Sequence, residues 1–212
     1  VGTLRRHDEA EALEAMRAAG LAFDPTTGRG GWPDEIEYVA VPDTWDQQVG
    51  EIWQQQLAKI GLRVRLRLVA YAAYLAEVSR RKRVAIGTTG WNADFADASN
   101  FFEPTLSSDA IADEGSENVA FFSNAAFDAE LARARALTDP SARRKAYARI
   151  ESIVASEAPW VPTYTTRVLE LWRPRVRGYA PHPLLPEDFR DVWLDDAPTN
   201  VALTTPLGRR SR

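Results

Sequence analysis

The feature that most constrains the fold is a strand–helix–strand pattern running from residue 36 to residue 69. Residues 36–41 (IEYVAV) form a short apolar run that reads as a strand. Behind it, Val49, Ile52, Trp53, Leu57 and Ile60 mark one face of a helix, and Thr44 and Gln47 have the spacing of a capping box at its start. Gly61 stops that helix. Leu62, Val64, Leu66 and Leu68 then alternate with Arg63, Arg65 and Arg67, the period of a half-buried strand. Joints this short predict a right-handed βαβ unit, and so an α/β fold. The arginine stripe reads either as an anion-binding face or as a solvated strand face, and the net charge of −4 favours the second.

Around this unit the pattern is coarser. Leu13 and Met16 open the chain with a helix that Gly20 ends. Residues 24–35, rich in Gly, Pro and Thr, read as a loop, and residues 84–87 as a second short buried strand. Residues 109–117 are acidic and loop-like, without the spacing of an EF-hand. Phe127 and Leu131 lead one helix, which ends near residues 138–140. Tyr147, Ile150 and Val154 form the buried stripe of another, which Pro159 breaks. Residues 160–164 and 168–172 read as two short strands around a Thr-Thr-Arg turn. Residues 174–198 read as irregular but packed on Tyr179, Phe189 and Trp193, and the final residues as disordered.

Composition excludes several function classes. The chain has 212 residues, 45% of them hydrophobic and 26% charged, as in a water-soluble globular protein of one large or two small domains. No apolar run approaches the ~18 residues of a membrane span, and the first residues carry no apolar signal core. The acidic balance argues against a nucleic-acid partner. With no Cys, disulfides, thiolate zinc sites and cysteine nucleophiles fall away together. No P-loop, GxGxxG, GxSxG or HExxH motif is present, and no metal or cofactor is expected.

The stretch GWNADFADASNFF, residues 90–102, carries the most chemistry. It would hang from the C-terminal end of the 84–87 strand, where open α/β sheets bind ligands. Trp91 beside Asp94 suits a ligand with an apolar body and a cationic head. The plainer reading is a loop whose acids cap the next helix and whose Trp belongs to the core. Asp94 and Asp97 could also form an acid/base pair, although two acids on one loop are more often caps or ligand contacts.

Five stretches in order resemble a known family: AEALEAMRAAGL, QVGEIWQQQLAKIGLRVRLRLV, TTGWNADFADASNFF, residues 121–164 and RVRGYAP. They resemble the C-terminal part of the family 5 extracytoplasmic solute-binding proteins, the oligopeptide-, dipeptide- and nickel-binding proteins of ABC importers. The resemblance implies the C-terminal lobe of a type II periplasmic-binding-protein-like fold, a mixed sheet with flanking helices. Residues 1–158 would be the ligand-binding lobe, and residues 159–196 would cross back to an N-terminal lobe absent here. Residues 197–212 would be a disordered tail. Trp160, Trp172, Tyr179 and Trp193 would meet that absent lobe, and any signal or lipoprotein sequence would lie upstream of it, for a protein at the extracytoplasmic face or in the periplasm.

Carried over by position, the resemblance implies that Asp94 pairs with a peptide's α-ammonium group and Trp91 walls the pocket. Asn92 and Ala93 would bond the peptide main chain through their own main-chain groups. Ala98 stands where many dipeptide binders have Pro, which loosens the loop without touching Asp94. The implied partners are a peptide or other small solute, the permease subunits of an ABC importer and the missing lobe. A sensor lobe of a regulator, a sugar- or nickel-complex-binding relative, and an enzyme using Asp94 and Asp97 are the alternatives.

Overall fold

The computed structural model describes residues 6–182, 184 and 188–195. The chain divides into two compact units, Val1–Val161 and Pro162–Arg212. The first opens with α1 (Glu9–Ala18), capped by the Asp8 side chain. Residues read as loop contain a small hairpin, β1 (Phe23–Asp24) against β2 (Arg29–Gly30).

The expected βαβ unit follows as β3 (Glu35–Ala40), α2 (Thr44–Ala58) and β4 (Arg63–Leu68). Next come α3 (Tyr71–Val78), which the sequence reading did not identify, and β5 (Ile86–Gly87). β3 is central, pairing in parallel with β4 on one side and β5 on the other.

Alternation along β3 builds a core on both of its faces. Tyr38 and Ala40 pack with Val64 and Leu57 on the α2 side, while Val39 packs with Tyr74 and Val78 of α3 on the other. The arginine stripe lies with the second face. Arg65 pairs with Glu35 and Glu37, and Arg67 with Glu37 and with Glu77 of α3. Parallel register sets Glu35 opposite Arg63 and Glu37 opposite Arg65, so the stripe is neutralised by acids of the neighbouring strand.

Two details of α2 differ from the sequence reading. Its cap is Asp43, whose Oδ1 accepts from the Asp46 N–H at 2.8 Å, and not the Thr44–Gln47 box. An Asp one residue earlier is the stronger capping side chain, and Gln47 donates instead to Glu51. Ile52 is 56% exposed. The face that meets the sheet is centred on Gly50, where an added Cβ would lie 2.8 Å from Leu66 Cδ1 and 3.0 Å from Tyr38 Cε1. Gly50→Ala therefore gains ~1 kcal/mol of helix propensity but loses ~1–3 kcal/mol to overpacking against a buried Tyr38. A net destabilisation of about 1 kcal/mol in urea unfolding is expected, and a stabilised variant would contradict this packing. Gly61 closes the helix at φ +83°, a conformation that suits glycine, and sits against Gly31 and the Phe23 ring.

The remainder of the unit is helical: α4 (Ser99–Leu106), a single 3₁₀ turn (Ser108–Ala110), α5 (Ala125–Ala136) and α6 (Pro140–Glu157). α4 was not read from sequence, because Pro104 within it reads as a helix breaker. Phe127, Leu131, Tyr147 and Ile150 form the core with Leu106 of α4. Asn118, fully buried, closes the 107–122 loop by donating to the Ser107 and Phe122 carbonyls and accepting from Phe122 N–H. Trp160 packs against this helical core, contrary to its expected place at an absent lobe.

The expected strands at 160–164 and 168–172 are not formed. No neighbouring strand among the described residues supplies the ladder that their backbone requires. Residues 174–195 instead carry a two-stranded antiparallel pair, β6 (Val176–Arg177) with β7 (Trp193–Leu194). Tyr179 lies edge-on to Trp172 and stacks with Phe189. The expectation of a disordered tail over residues 197–212 lies outside the described residues.

Candidate functional site

In the strand order β4–β3–β5 the crossover from β3 to β4 runs through α2 on one face and the crossover from β4 to β5 through α3 on the other, which makes the gap between β3 and β5 a switch point. The 88–98 loop starts there. Tyr38 and Tyr74, both buried, hydrogen-bond Thr88 at its hydroxyl and at its carbonyl oxygen respectively. Burial pushes both phenols above the usual tyrosine range, so they remain protonated. The start of the site loop is thereby fastened to both faces of the sheet.

Farther along, Asn100 of α4 organises the loop. Its Oδ1 accepts from Trp91 Nε1 at 3.2 Å and from the Asp94 N–H at 2.9 Å. Two donors on one oxygen fix the orientation of the amide. Nδ2 then donates to Asp94 Oδ2 at 3.3 Å. Asn100 is only 6% exposed, whereas Asp94 is exposed and Trp91 half-buried. Among the described residues no donor reaches Asp94 Oδ1, and the main-chain groups of Trp91, Asn92 and Ala93 have no hydrogen-bond partner.

Asp97 is placed quite differently. Arg143 of α6 grips it through Nε to Oδ2 at 3.0 Å and Nη2 to Oδ1 at 2.8 Å. Ser99 N–H and the Tyr147 hydroxyl also donate to Oδ1. The Arg143 guanidinium holds the Asp97 carboxyl well below the usual carboxylate range, helped by the bonds from Ser99 and Tyr147. Through Nη1, Arg143 also donates to the carbonyls of Ala134, Arg135 and Leu137, tying the end of α5 to the same point. Asp97 is thus a clamp between the site loop and the helical core, and its partners are not those of Asp94.

The sequence reading identified Trp91, Asn92, Ala93 and Asp94, and the structure brings Trp91 and Asp94 together on Asn100. It missed Asn100 and Arg143. The one hint of Asn100 was an amide in the first turn of a helix that follows a Trp and two acids. Nothing local pointed to Arg143. Beside Trp91 and Asp94 opens a cleft of about 490 Å³ whose acidic lining includes Glu103, Asp109 and Glu117, with Glu103 paired to Arg135 at 2.6 Å. A half-buried indole, an oriented carboxylate with one unbonded oxygen and unpaired main-chain groups are the kinds of group that a small cationic or zwitterionic ligand can use.

A parallel α/β lobe with a loop at the switch point is a ligand-binding architecture that many proteins share, and comparison with known sequences gives the family. The chain belongs to the bacterial extracellular solute-binding proteins of family 5, whose model, described as the middle part of the family, matches residues 3–113. It is 33% identical over 189 residues to heme-binding protein A of Haemophilus influenzae, covering 82% of this chain and 33% of that protein. To di/tripeptide-binding protein 4 of Pseudomonas aeruginosa it is 30% identical over 139 residues, covering 66% of this chain and 26% of that protein.

Among solved structures, the ABC transporter-associated periplasmic binding protein DppA from Helicobacter pylori, in complex with the peptide STSA, matches with TM-score 0.63. Its identity is 26%, and the match covers 73% of this chain and 28% of that one. The oligopeptide-binding protein AppA from Bacillus subtilis matches with TM-score 0.67 at 18% identity, over 92% of this chain and 39% of that one, a likeness of fold. The fold is therefore α/β of the type II periplasmic-binding-protein kind. The chain spans about a quarter to a third of the length of the two relatives it matches in sequence. These relatives are substrate-binding proteins, some of them periplasmic.

Proposed function

We propose that this chain is the ligand-binding lobe of a solute-binding protein that captures peptides, at the extracytoplasmic face or in the periplasm, for uptake by an ABC importer. The observation that carries this reading is the arrangement around Asp94. One carboxylate oxygen is held by Asn100, the other is free, the Trp91 indole stands alongside, and the main-chain groups of residues 91–93 are unpaired. In this reading Asp94 takes the peptide's α-ammonium group and Trp91 walls the pocket. The main-chain groups of Asn92 and Ala93 bond the peptide backbone, independently of the peptide's side chains. Nothing in this arrangement calls for bond chemistry, so the role is binding and not catalysis. The permease subunits of the importer would be its macromolecular partners. Titration calorimetry of a two-lobed protein carrying this sequence, with free and N-acetylated forms of one peptide, tests it. Free peptides should bind and acetylated ones should bind poorly. Equal affinity for both would reject the ammonium pairing and point to a sugar or metal-complex ligand.

In the same reading residues 1–158 form the lobe, and residues 159–196 cross to a second lobe that completes the protein. Supporting this, Val168, Leu169 and Leu171 are 75%, 82% and 90% exposed, a run of apolar side chains without cover. The 212-residue chain alone is therefore expected to bind a hydrophobic fluorescent dye and to self-associate with rising concentration in sedimentation. A chain that stays monomeric and does not bind the dye would remove the support for a covering lobe.

A further inference from the structure

We infer that Tyr38 and Tyr74, neither of which touches the ligand in the reading above, tune ligand affinity by positioning the site loop through Thr88. The inference rests on residues 91–94 as the ligand contacts and extends that reading to what holds them in place. β5, the strand that carries the loop, has two residues, Ile86–Gly87, paired with Tyr38 and Val39 of β3. So short a strand gives its end little hold through ladder bonds alone. Beyond it, among the described residues, the stretch 89–96 takes part in one main-chain to main-chain hydrogen bond, from Asp97 N–H to the Phe95 carbonyl. Side chains therefore hold the part that presents Trp91, Asn92 and Ala93. Asn100 holds its far end, and the two phenols on Thr88 hold its near end.

Both phenols are fixed by their surroundings. Tyr38 is 2% exposed and stacks with Trp53 of α2 at 6.5 Å, and Tyr74 of α3 is 6% exposed and packs with Val39 and Val78. They approach from opposite faces of the sheet and take different groups of one residue. The Tyr38 and Thr88 hydroxyls share a hydrogen bond, and the Tyr74 hydroxyl donates to the Thr88 carbonyl. One bond alone would let Thr88 pivot, whereas the two together fix its side chain and its peptide plane. Gly87 leaves room for the second, since an added Cβ there would lie 3.0 Å from the Tyr74 hydroxyl. A loop that wanders binds only in the fraction of molecules with the bound geometry, and the apparent Kd rises by the inverse of that fraction. Tyr38 and Tyr74 are positioning residues that keep this fraction high.

The test is calorimetry on a two-lobed protein carrying this sequence, with trialanine and N-acetyl-trialanine as probes and affinity taken per folded molecule. Tyr38→Phe, Tyr74→Phe and Thr88→Val each remove a hydroxyl and keep the shape of the side chain. Thr88 is half-buried at the start of the loop, so Thr88→Val breaks the Tyr38 bond without altering the core. Each variant should bind trialanine about three- to tenfold more weakly, the range that one hydrogen bond spans. Tyr38→Phe and Thr88→Val together should cost no more than the worse of the two, because both break the same bond.

Unchanged affinity in the folded variants, with only the melting temperature lowered, overturns the inference by showing a purely structural role for the phenols. Losses that add in the double variant also overturn it, since Tyr38 would then act by a route other than Thr88. Both results leave the ammonium anchor standing, provided that wild type still separates the free from the acetylated peptide. Equal binding of the two probes by wild type rejects the anchor itself, and the inference with it.

Discussion

Asp94→Ala, placed in a two-lobed protein that carries this sequence, is expected to weaken binding of a free-amino peptide by roughly thirtyfold or more. Removing one partner of a desolvated charge pair typically costs ~2–5 kcal/mol, much of it the penalty of leaving the other charge unpaired. Asp94 is exposed in this lobe, so in the proposed reading the pair is desolvated by closure of the second lobe. Asp94→Asn keeps the shape and removes the charge, so it should lose affinity to a similar degree. Loss in Asp94→Ala with retention in Asp94→Asn would mean that the side chain bonds a neutral group. Asp97→Asn should change affinity far less per folded molecule, because its carboxylate faces Arg143 and Tyr147. A larger loss from Asp97→Asn than from Asp94→Ala would reverse the two roles.

Arg143→Ala should be the most damaging substitution among the polar residues around the site loop. It removes the two bonds to Asp97 and three bonds to the carbonyls at the end of α5, all from one guanidinium. The pair is about a quarter exposed on each side, so the full cost of breaking a buried ion pair does not apply. A clear loss of stability is expected, read as a melting temperature lowered by several degrees relative to wild type.

The same clamp carries a pH signature. The Asp97 carboxyl is depressed in the folded lobe, mainly by Arg143, so its contribution is fully present above the unfolded carboxylate value of about 4. It is lost as pH falls through the lower folded value. The stability gap between wild type and Asp97→Asn should hold constant from pH 8 to about pH 5 and close below about pH 4. A gap that persists undiminished into strong acid would show that the ion pair is not its source.

Some parts of this architecture were legible because a single short stretch contains all of the signal. The βαβ unit was one: β3 and β4 announce themselves by alternation, α2 by helical spacing and Gly61 by its position. The helices α5 and α6 showed their buried stripes in the same way. Even so, periodicity could not say which side of α2 would turn inward. Ile52 fits the stripe and lies in solvent, because close approach to Tyr38 and Leu66 selects Gly50 for the contact. α3 was missed because eight residues rich in Ala and apolar side chains show no clear polar face, and α4 because of Pro104. The expected strands after Pro159 had the composition of strands, but a strand exists only with a partner to complete its ladder.

The sequence by itself determined the α/β class, the position of the site loop after β5 and the presence of an indole and two acids on that loop. Spacing could not separate the two acids, which are three residues apart; the resemblance assigned Asp94 to the ligand and left Asp97 to the loop. Only the tertiary structure shows what holds each of them. Arg143, 46 residues further along the chain, closes on Asp97, while Asn100 holds one oxygen of Asp94 and leaves the other open. The physical reason is that a carboxylate's availability is set by the donors around it, and those donors come from helices that meet the loop only once the core has packed.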